Sequence, residues 1–264
     1  MFRFFFLFIL IINCIICSAY AQNSYSLNST RESIIFTGGI SLGITDLLLI
    51  NDTKPISVEE LNSLSIDNIN SFDRATALNF SSSAGSWSDA LLYTTILSPL
   101  LLTTSSKAQN NIGPYLTMYL QNTLTAFSIS HLSKATTGRF RPYTYNEQAP
   151  GEKRMAADSR LSFFSGHATL AFASAVFLSV TFSKYHPDSK LKPVVWGTSL
   201  IAASLVGYLR YSAGSHFPTD IIAGAVVGSV IGFLFPLIHE DDDTEMNSPL
   251  NKPTDNVFSI TIQF

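Results

Sequence analysis

Apolar residues in this chain come in long runs separated by polar or proline-bearing stretches. Six such runs fall over roughly 34–50, 88–105, 114–131, 167–182, 193–210 and 219–238. Each is longer than an ordinary strand. No two-residue turn flanked by alternating strands occurs and no fixed-period repeat recurs, so length alone selects helix. The pattern predicts an all-α fold, a bundle of about six apolar helices embedded in a membrane. The last run, Thr219 to Ile238, is rich in Gly, Ala, Val and Ile, with Gly224 and Gly228 four residues apart. Small residues at that spacing let helices approach closely in lipid, which makes this run the strongest membrane-spanning candidate. The third run differs: Gln121, Asn122, Ser128, Ser130 and His131 make it too polar to face lipid on every side, so it must be buried or amphipathic. Pro99, Pro114 and Pro236 stand where they start or kink helices. Residues 51–87, with Ser, Asn and Asp throughout and irregular apolar spacing, read as a surface loop with short helices.

Composition agrees with this picture. Of the 264 residues 46% are hydrophobic and 13% charged, which leans toward the membrane side of the globular range. A net charge of −3, with the cations gathered in one segment, offers no basic face for a nucleic-acid backbone, and nucleic acid is excluded as a partner. Arg3, the apolar run Phe4–Cys17 and the small residues around Ala19-Tyr20-Ala21 read as a secretory signal over 1–21, cleaved or retained as an anchor. Cys14 and Cys17 both lie inside it, so a cleaved chain would have no disulfide. The expected organisation is therefore 1–21 signal or anchor, 22–239 one helical-bundle domain, and 240–264 an acidic tail. The strand-like finish Val257–Phe264 is given no weight, because six helical runs leave no room for a barrel.

Three clusters carry candidate chemistry. Lys134 is followed after six residues by Arg141-Pro142; Ser165-Gly166-His167 opens the fourth run; Arg210 is followed after five residues by His216, and His216 after three by Asp220. If the runs alternate in direction, the third and fifth exit, and the fourth and sixth begin, on one side, so four helix ends form the site. A phosphoryl group explains these residue types. Its oxygens need fixed cations, for which Arg supplies a planar fork and Lys a point charge, and Lys134, Arg141 and Arg210 fit that task. Ser165 and Gly166 before a helix would turn backbone N–H groups toward an anion. His216 suits a nucleophile, with Asp220 four residues on to orient its ring, and His167 a general acid for the leaving oxygen. The set requires no metal and no cofactor. Taken singly, a cation after an apolar helix is usually an interfacial anchor and a Ser-Gly pair merely a turn; eight such residues on one side are not explained that way. Arg139, Lys153, Arg154 and Arg160 read as solvated charge, and His131, His186 and His239 as structural.

At these residues the sequence resembles the type 2 phosphatidic acid phosphatase superfamily, which includes bacterial lipid phosphatases, soluble class A acid phosphatases and vanadium haloperoxidases. The signature K-x6-RP, PSGH and SR-x5-H-x3-D is met here by Lys134-x6-Arg141-Pro142, Phe164-Ser165-Gly166-His167 and Leu209-Arg210-x5-His216-x3-Asp220. Order, spacing and every charged position match, while Phe164 stands for Pro and Leu209 for Ser. The first change could loosen the turn before His167, and the second removes a hydroxyl beside Arg210. The resemblance implies a phosphohistidine route in which His216 attacks and water then hydrolyses the intermediate. It also leaves haloperoxidase chemistry formally open, since phosphate and vanadate share one pocket in the superfamily; the membrane-like helices point away from it.

The resulting expectation is a cell-envelope phosphatase of the inner membrane acting on a phosphorylated lipid of the phosphatidate, isoprenyl diphosphate or lipid A type. The alternative is a soluble periplasmic acid phosphatase acting on small phosphate esters. Orientation meets a conflict. An exported residue 22 followed by six spans puts Lys134 in the cytoplasm, whereas Lys184, Lys190 and Lys192 mark the opposite loop as cytoplasmic. The expectation favours a site facing the periplasm, with the third run or the first not crossing.

Overall fold

The computed structural model describes residues 24–241. The expected signal segment, both cysteines and the tail beyond Asp241 lie outside the described residues. Among the described residues there is no strand, only an isolated bridge between Tyr25 and Glu240. Six long helices build the bundle: α1 (Ser29–Asn51), α3 (Ser82–Leu97), α5 (Ile112–Thr137), α7 (Gly166–Tyr185), α8 (Lys192–Ser212) and α9 (Pro218–Ile238). Three short helices, α2 (Val58–Ser63), α4 (Ser106–Gln109) and α6 (Gly151–Met155), lie in the connections. The all-α expectation holds, with one difference of detail. The second run starts its helix early, at Ser82, where the Ser81 hydroxyl caps the amide of Ala84, and tightens into a 3-10 helix over Ser98–Thr104 with Pro99 near its start.

The six helices alternate in direction. One end of the bundle gathers the stretch before α1 and the connections after α3 and α7: Asn111 donates to the Tyr25 carbonyl at 3.2 Å, Ser105 and His186 meet at 3.2 Å, and Lys184 pairs with Glu240. The other end gathers 52–81, 138–165 and 213–217. All six helices therefore run between the two ends, the first and third included. The polarity of α5 is accommodated by burial instead. Gln121 donates to Glu32 at 2.6 Å, Glu32 meets His239 at 2.9 Å, and Ser128 donates to the Gly39 carbonyl at 3.1 Å.

The glycine stripe of α9 lies flat on α7. A Cβ at Gly224, Gly228 or Gly232 would come within 2.6, 2.2 or 2.4 Å of the carbonyl oxygens of Ser165, Thr169 and Ala173. Only hydrogen fits there, and the contact locks the first turns of α7 and α9 side by side. The outer face of α9 is the reverse: Ile222, Val226, Val230, Phe233 and Leu237 are exposed along its whole length. On α8, Val194, Ile201, Leu205 and Tyr208 continue the apolar surface. Among the described residues two helices are long and apolar enough to cross a membrane, α7 with a stretch of mean hydropathy 1.3 and α9 with one of 2.4.

Candidate active site

The end of the bundle opposite the Lys184 connection holds Lys134 in the last turn of α5, Arg141 in the loop that follows, Ser165, Gly166 and His167 at the start of α7, Arg210 in the last turn of α8, His216 in the turn after it, and Asp220 in the first turn of α9. Gly214 makes the turn possible. It takes φ +65°, a Cβ there would lie 2.0 Å from the Asn79 carbonyl oxygen, and its own carbonyl accepts from the Tyr143 amide at 2.8 Å. This pins the loop carrying Arg141 against the turn carrying His216.

His216 is buried, 1% exposed. Its Nδ1 lies 2.8 Å from the Ser162 carbonyl oxygen, whereas the Asp220 carboxylate is 3.8 Å away. A carbonyl can only accept, so Nδ1 carries the proton and the neutral ring keeps its lone pair on Nε2. Nε2 is buried and has no hydrogen-bond partner. Burial, and then the positive field of Arg141, Arg210 and Lys134, holds the His216 pKa well below the ordinary imidazole value. A neutral imidazole with an unspent lone pair, facing cations, is a nucleophile prepared for a phosphoryl group.

Asp220, four residues on, acts one step further back than its spacing suggests. Its Oδ2 accepts from the Ser162 hydroxyl at 2.6 Å and the Phe217 amide at 2.9 Å, and its Oδ1 accepts from Arg139 at 2.5 Å. The carboxylate thus fixes Ser162, and Ser162 fixes the ring. Arg139 also reaches Asp73 at 2.7 Å, lies 4.3 Å over the Phe217 ring, and donates to Thr219 at 2.8 Å. It is a structural keystone, and not the solvated charge its position in the loop suggests. Asp73 is fully buried. Desolvation works to raise its pKa, but hydrogen bonds from Thr219, Arg139 and Asn70 outweigh it and hold the carboxyl below its ordinary value.

The other members divide into those that face the cavity and those spent on structure. Arg141 donates to Asp158 through Nε and Nη2, at 3.0 and 2.8 Å, and reaches the Ser215 carbonyl at 3.4 Å. Arg210 donates through Nη1 to Ser88 at 3.2 Å and Asp89 at 3.3 Å, while its buried Nε has no partner. Ser88 of α3 thus puts a hydroxyl beside Arg210, its own proton donated to the Gly85 carbonyl at 2.6 Å. Lys134 comes within 3.2 Å of where a Gly166 Cβ would sit, so that glycine lets the ammonium in. Ser165 departs from expectation: its amide donates to the Asp220 carbonyl at 3.0 Å and its hydroxyl caps Ala168 at 3.3 Å, so neither is turned toward an anion. The amide is consumed in joining the starts of α7 and α9, and the hydroxyl in capping α7 itself. The turn before His167 is anchored despite the absent proline, since Ser133 and Thr137 donate to the Phe163 carbonyl at 3.3 and 3.2 Å.

Two participants have no motif to announce them. His167 meets Asp89 of α3 at 2.7 Å, through the same carboxylate oxygen that holds Arg210. Lys153, read as solvated, is exposed but lines the cavity with its ammonium 4.7 Å from the Tyr143 ring centroid and 5.3 Å from that of Phe80. The cavity, about 250 Å³, is bounded by Arg141, Lys153, Asp158, Arg210 and Ser215 and by the Ser82, Gly85, Ser86 and Asp89 face of α3. Arg154 and Arg160 are structural, donating to the Thr144 carbonyl at 2.9 Å and to Glu60. The remaining histidines pack or bond within the bundle, His131 stacking on Phe127 with ring centroids 4.1 Å apart.

Several known proteins are similar to this chain. An undecaprenyl-diphosphatase of Sulfolobus acidocaldarius is 32% identical over 109 residues, covering 41% of this chain and 48% of that protein. A lipid A 1-phosphatase of Rhizobium johnstonii is 29% identical over 164 residues, 56% of this chain and 61% of that protein. The chain spans about half the length of the curated relatives it matches. A transmembrane PAP2-type phosphatidylglycerolphosphate phosphatase from Bacillus subtilis superimposes over 78% of this chain and 96% of its own, with a TM-score of 0.45 and 22% identity. The family model described as the PAP2 superfamily matches residues 115–243, the stretch that holds all three clusters, so over just under half its length the chain is similar to the PAP2 superfamily.

Proposed function

We propose that the chain is a membrane-bound phosphatase that hydrolyses a lipid phosphate through a phosphohistidine. The observation that carries the reading is His216, with its Nδ1 proton committed to the Ser162 carbonyl and its bare, buried Nε2 in the field of Lys134, Arg141 and Arg210. In the first step Nε2 forms a bond to phosphorus as the bond to the ester oxygen breaks. The proton held between His167 and Asp89 goes to that oxygen, and the lipid alcohol leaves. In the second step His167 takes a proton from water, the water oxygen attacks phosphorus, and the N–P bond breaks to give inorganic phosphate and neutral His216. The three cations hold the non-bridging oxygens throughout.

The lipid part of the reading is supported by the unbroken apolar outer face of α9, by two helices of membrane-crossing length, and by relatives named for undecaprenyl diphosphate and lipid A. Purified protein in detergent, offered phosphatidate, an isoprenyl diphosphate, a lipid A phosphate and p-nitrophenyl phosphate, tests it. Phosphate release from at least one lipid is expected, with a loss of at least ~10³-fold in His216→Ala. Activity on the nitrophenyl ester alone would overturn the substrate class, and an active His216→Ala would overturn the mechanism.

A further inference from the structure

A single tetrahedral phosphoryl group is already matched by Lys134, Arg141 and Arg210. Lys153 is a fourth cation, and it enters from α6, outside the three clusters. It makes no ion pair among the described residues. Its ammonium stands at the mouth of the cavity over the faces of Tyr143 and Phe80, while its backbone is tied down by the Ser159 hydroxyl, which donates to the Lys153 carbonyl at 2.7 Å. Partial desolvation there, and then repulsion from Arg141 and Arg210, favour its neutral form. Asp158 offsets part of that repulsion but is shared with Arg141, so the cations Lys153, Arg141 and Arg210 outnumber the carboxylates Asp158 and Asp89 of the cavity wall and leave room for further negative charge.

The cavity shows where that charge would sit. Ser215, the chain neighbour of His216, lines it together with Arg141 and Arg210, and Asp89, which holds the proposed acid His167, forms part of its wall. The space between Asp89 and Lys153 is thus on the leaving-group side of the reacting phosphorus. Its α3 wall presents the Ser82 and Ser86 hydroxyls beside the Asp89 carboxylate and no apolar side chain, which suits a solvated polar group and not an acyl chain.

We infer that Lys153 recognises negative charge on the leaving group, so that the site is built for a lipid diphosphate in preference to a lipid monophosphate. The inference rests on the phosphatase reading above. In a diphosphate, His216 forms its bond to the terminal phosphorus as the bond to the bridging oxygen breaks. The electron pair stays on the departing lipid monophosphate, and Lys153 faces its charge.

The test compares farnesyl diphosphate with farnesyl monophosphate, in detergent, on wild type, Lys153→Met and Lys153→Arg. Methionine keeps most of the stem over the rings and removes the charge; arginine keeps the charge. The ratio of kcat/KM for diphosphate over monophosphate is expected to fall about 10-fold or more in Lys153→Met, mainly through KM, and to stay within about 3-fold of wild type in Lys153→Arg. A ratio that does not move, whether both substrates suffer equally or neither does, overturns the inference while leaving the phosphatase reading intact. A wild type inactive on both lipids and on other phosphate esters removes the phosphatase reading itself. Should Lys153→Met fail to fold, a ratio in Lys153→Arg that collapses despite normal thermal unfolding also overturns the role of charge.

Discussion

His216 must be neutral to attack, and three cations nearby keep it so. Burial is the largest cause of its lowered pKa and Arg141 the next. In the free protein, protonation therefore silences the nucleophile only well below the ordinary imidazole value of about 6.5, and on this account kcat/KM does not fall as pH drops through that value. Arg141→Gln removes the repulsive charge with the largest effect, so the His216 pKa rises and the acidic limb of kcat/KM moves to higher pH. The same change removes a phosphate ligand and lowers kcat/KM by about 10²-fold. A pH profile of wild type and variant separates the effects; a limb that stays in place while activity falls would leave Arg141 a ligand only. His167 and Asp89 answer to a different measurement. A general acid matters when the leaving oxygen is a poor leaving group, so His167→Ala should cost about 10²–10⁴-fold on an alkyl phosphate and far less on p-nitrophenyl phosphate, whose phenolate departs without a proton. Asp89→Asn should follow the same pattern with a smaller loss. Equal losses on both esters would mean that the pair serves binding instead.

The helices place these residues to within hydrogen-bond distance because α7 and α9 touch backbone to backbone. Gly228 is the tightest point, with 2.2 Å from a would-be Cβ to the Thr169 carbonyl oxygen, so Gly228→Ala must push the helices apart. A loss of about 1–3 kcal/mol is expected. Activity should fall with it, since Ser165 and Asp220 meet at the same interface. Gly197→Ala in α8 is the control: nothing lies within 4 Å of its added Cβ, and helix propensity favours alanine. Equal unfolding temperatures for the two variants would refute the close-packing argument. This interface was legible in the sequence, because small residues every four positions in an apolar run have few other uses. The cations and histidines of the three clusters were legible for the same reason, as local spacing reports which residues leave a helix end together. What spacing could not report was α3. Ser88 and Asp89 are far in sequence from Arg210 and His167 and carry no pattern, and only the packing of α3 against α7 and α8 brings them in. Nor could spacing foresee that Ser162 intervenes between Asp220 and His216, because a backbone carbonyl has no residue type.

The whole bundle settles how orientation must be argued. Six helices of 16–26 residues alternate between the two ends, so every connection at the far end lies on one side of any membrane they cross. That end carries Lys107, Lys184, Lys190 and Lys192, together with Tyr25, which bridges to Glu240. The lysines favour the cytoplasm for it, and we propose that the site faces the opposite compartment. The same geometry then requires residue 25 to lie in the cytoplasm, which is incompatible with a signal cleaved after Ala21 and exported ahead of it. The two readings can therefore be set against each other in one experiment. Periplasmic reporter fusions after Lys107 and after Lys190 should both be inactive, and the mature N-terminus should retain residues 1–21. Two active fusions and a chain beginning at Gln22 would place the site in the cytoplasm, and would mean that the lysines of the α7–α8 connection serve the Glu240 contact and not topology. Carbonate extraction is the prior check, because an integral protein stays with the membrane pellet and orientation has meaning only there.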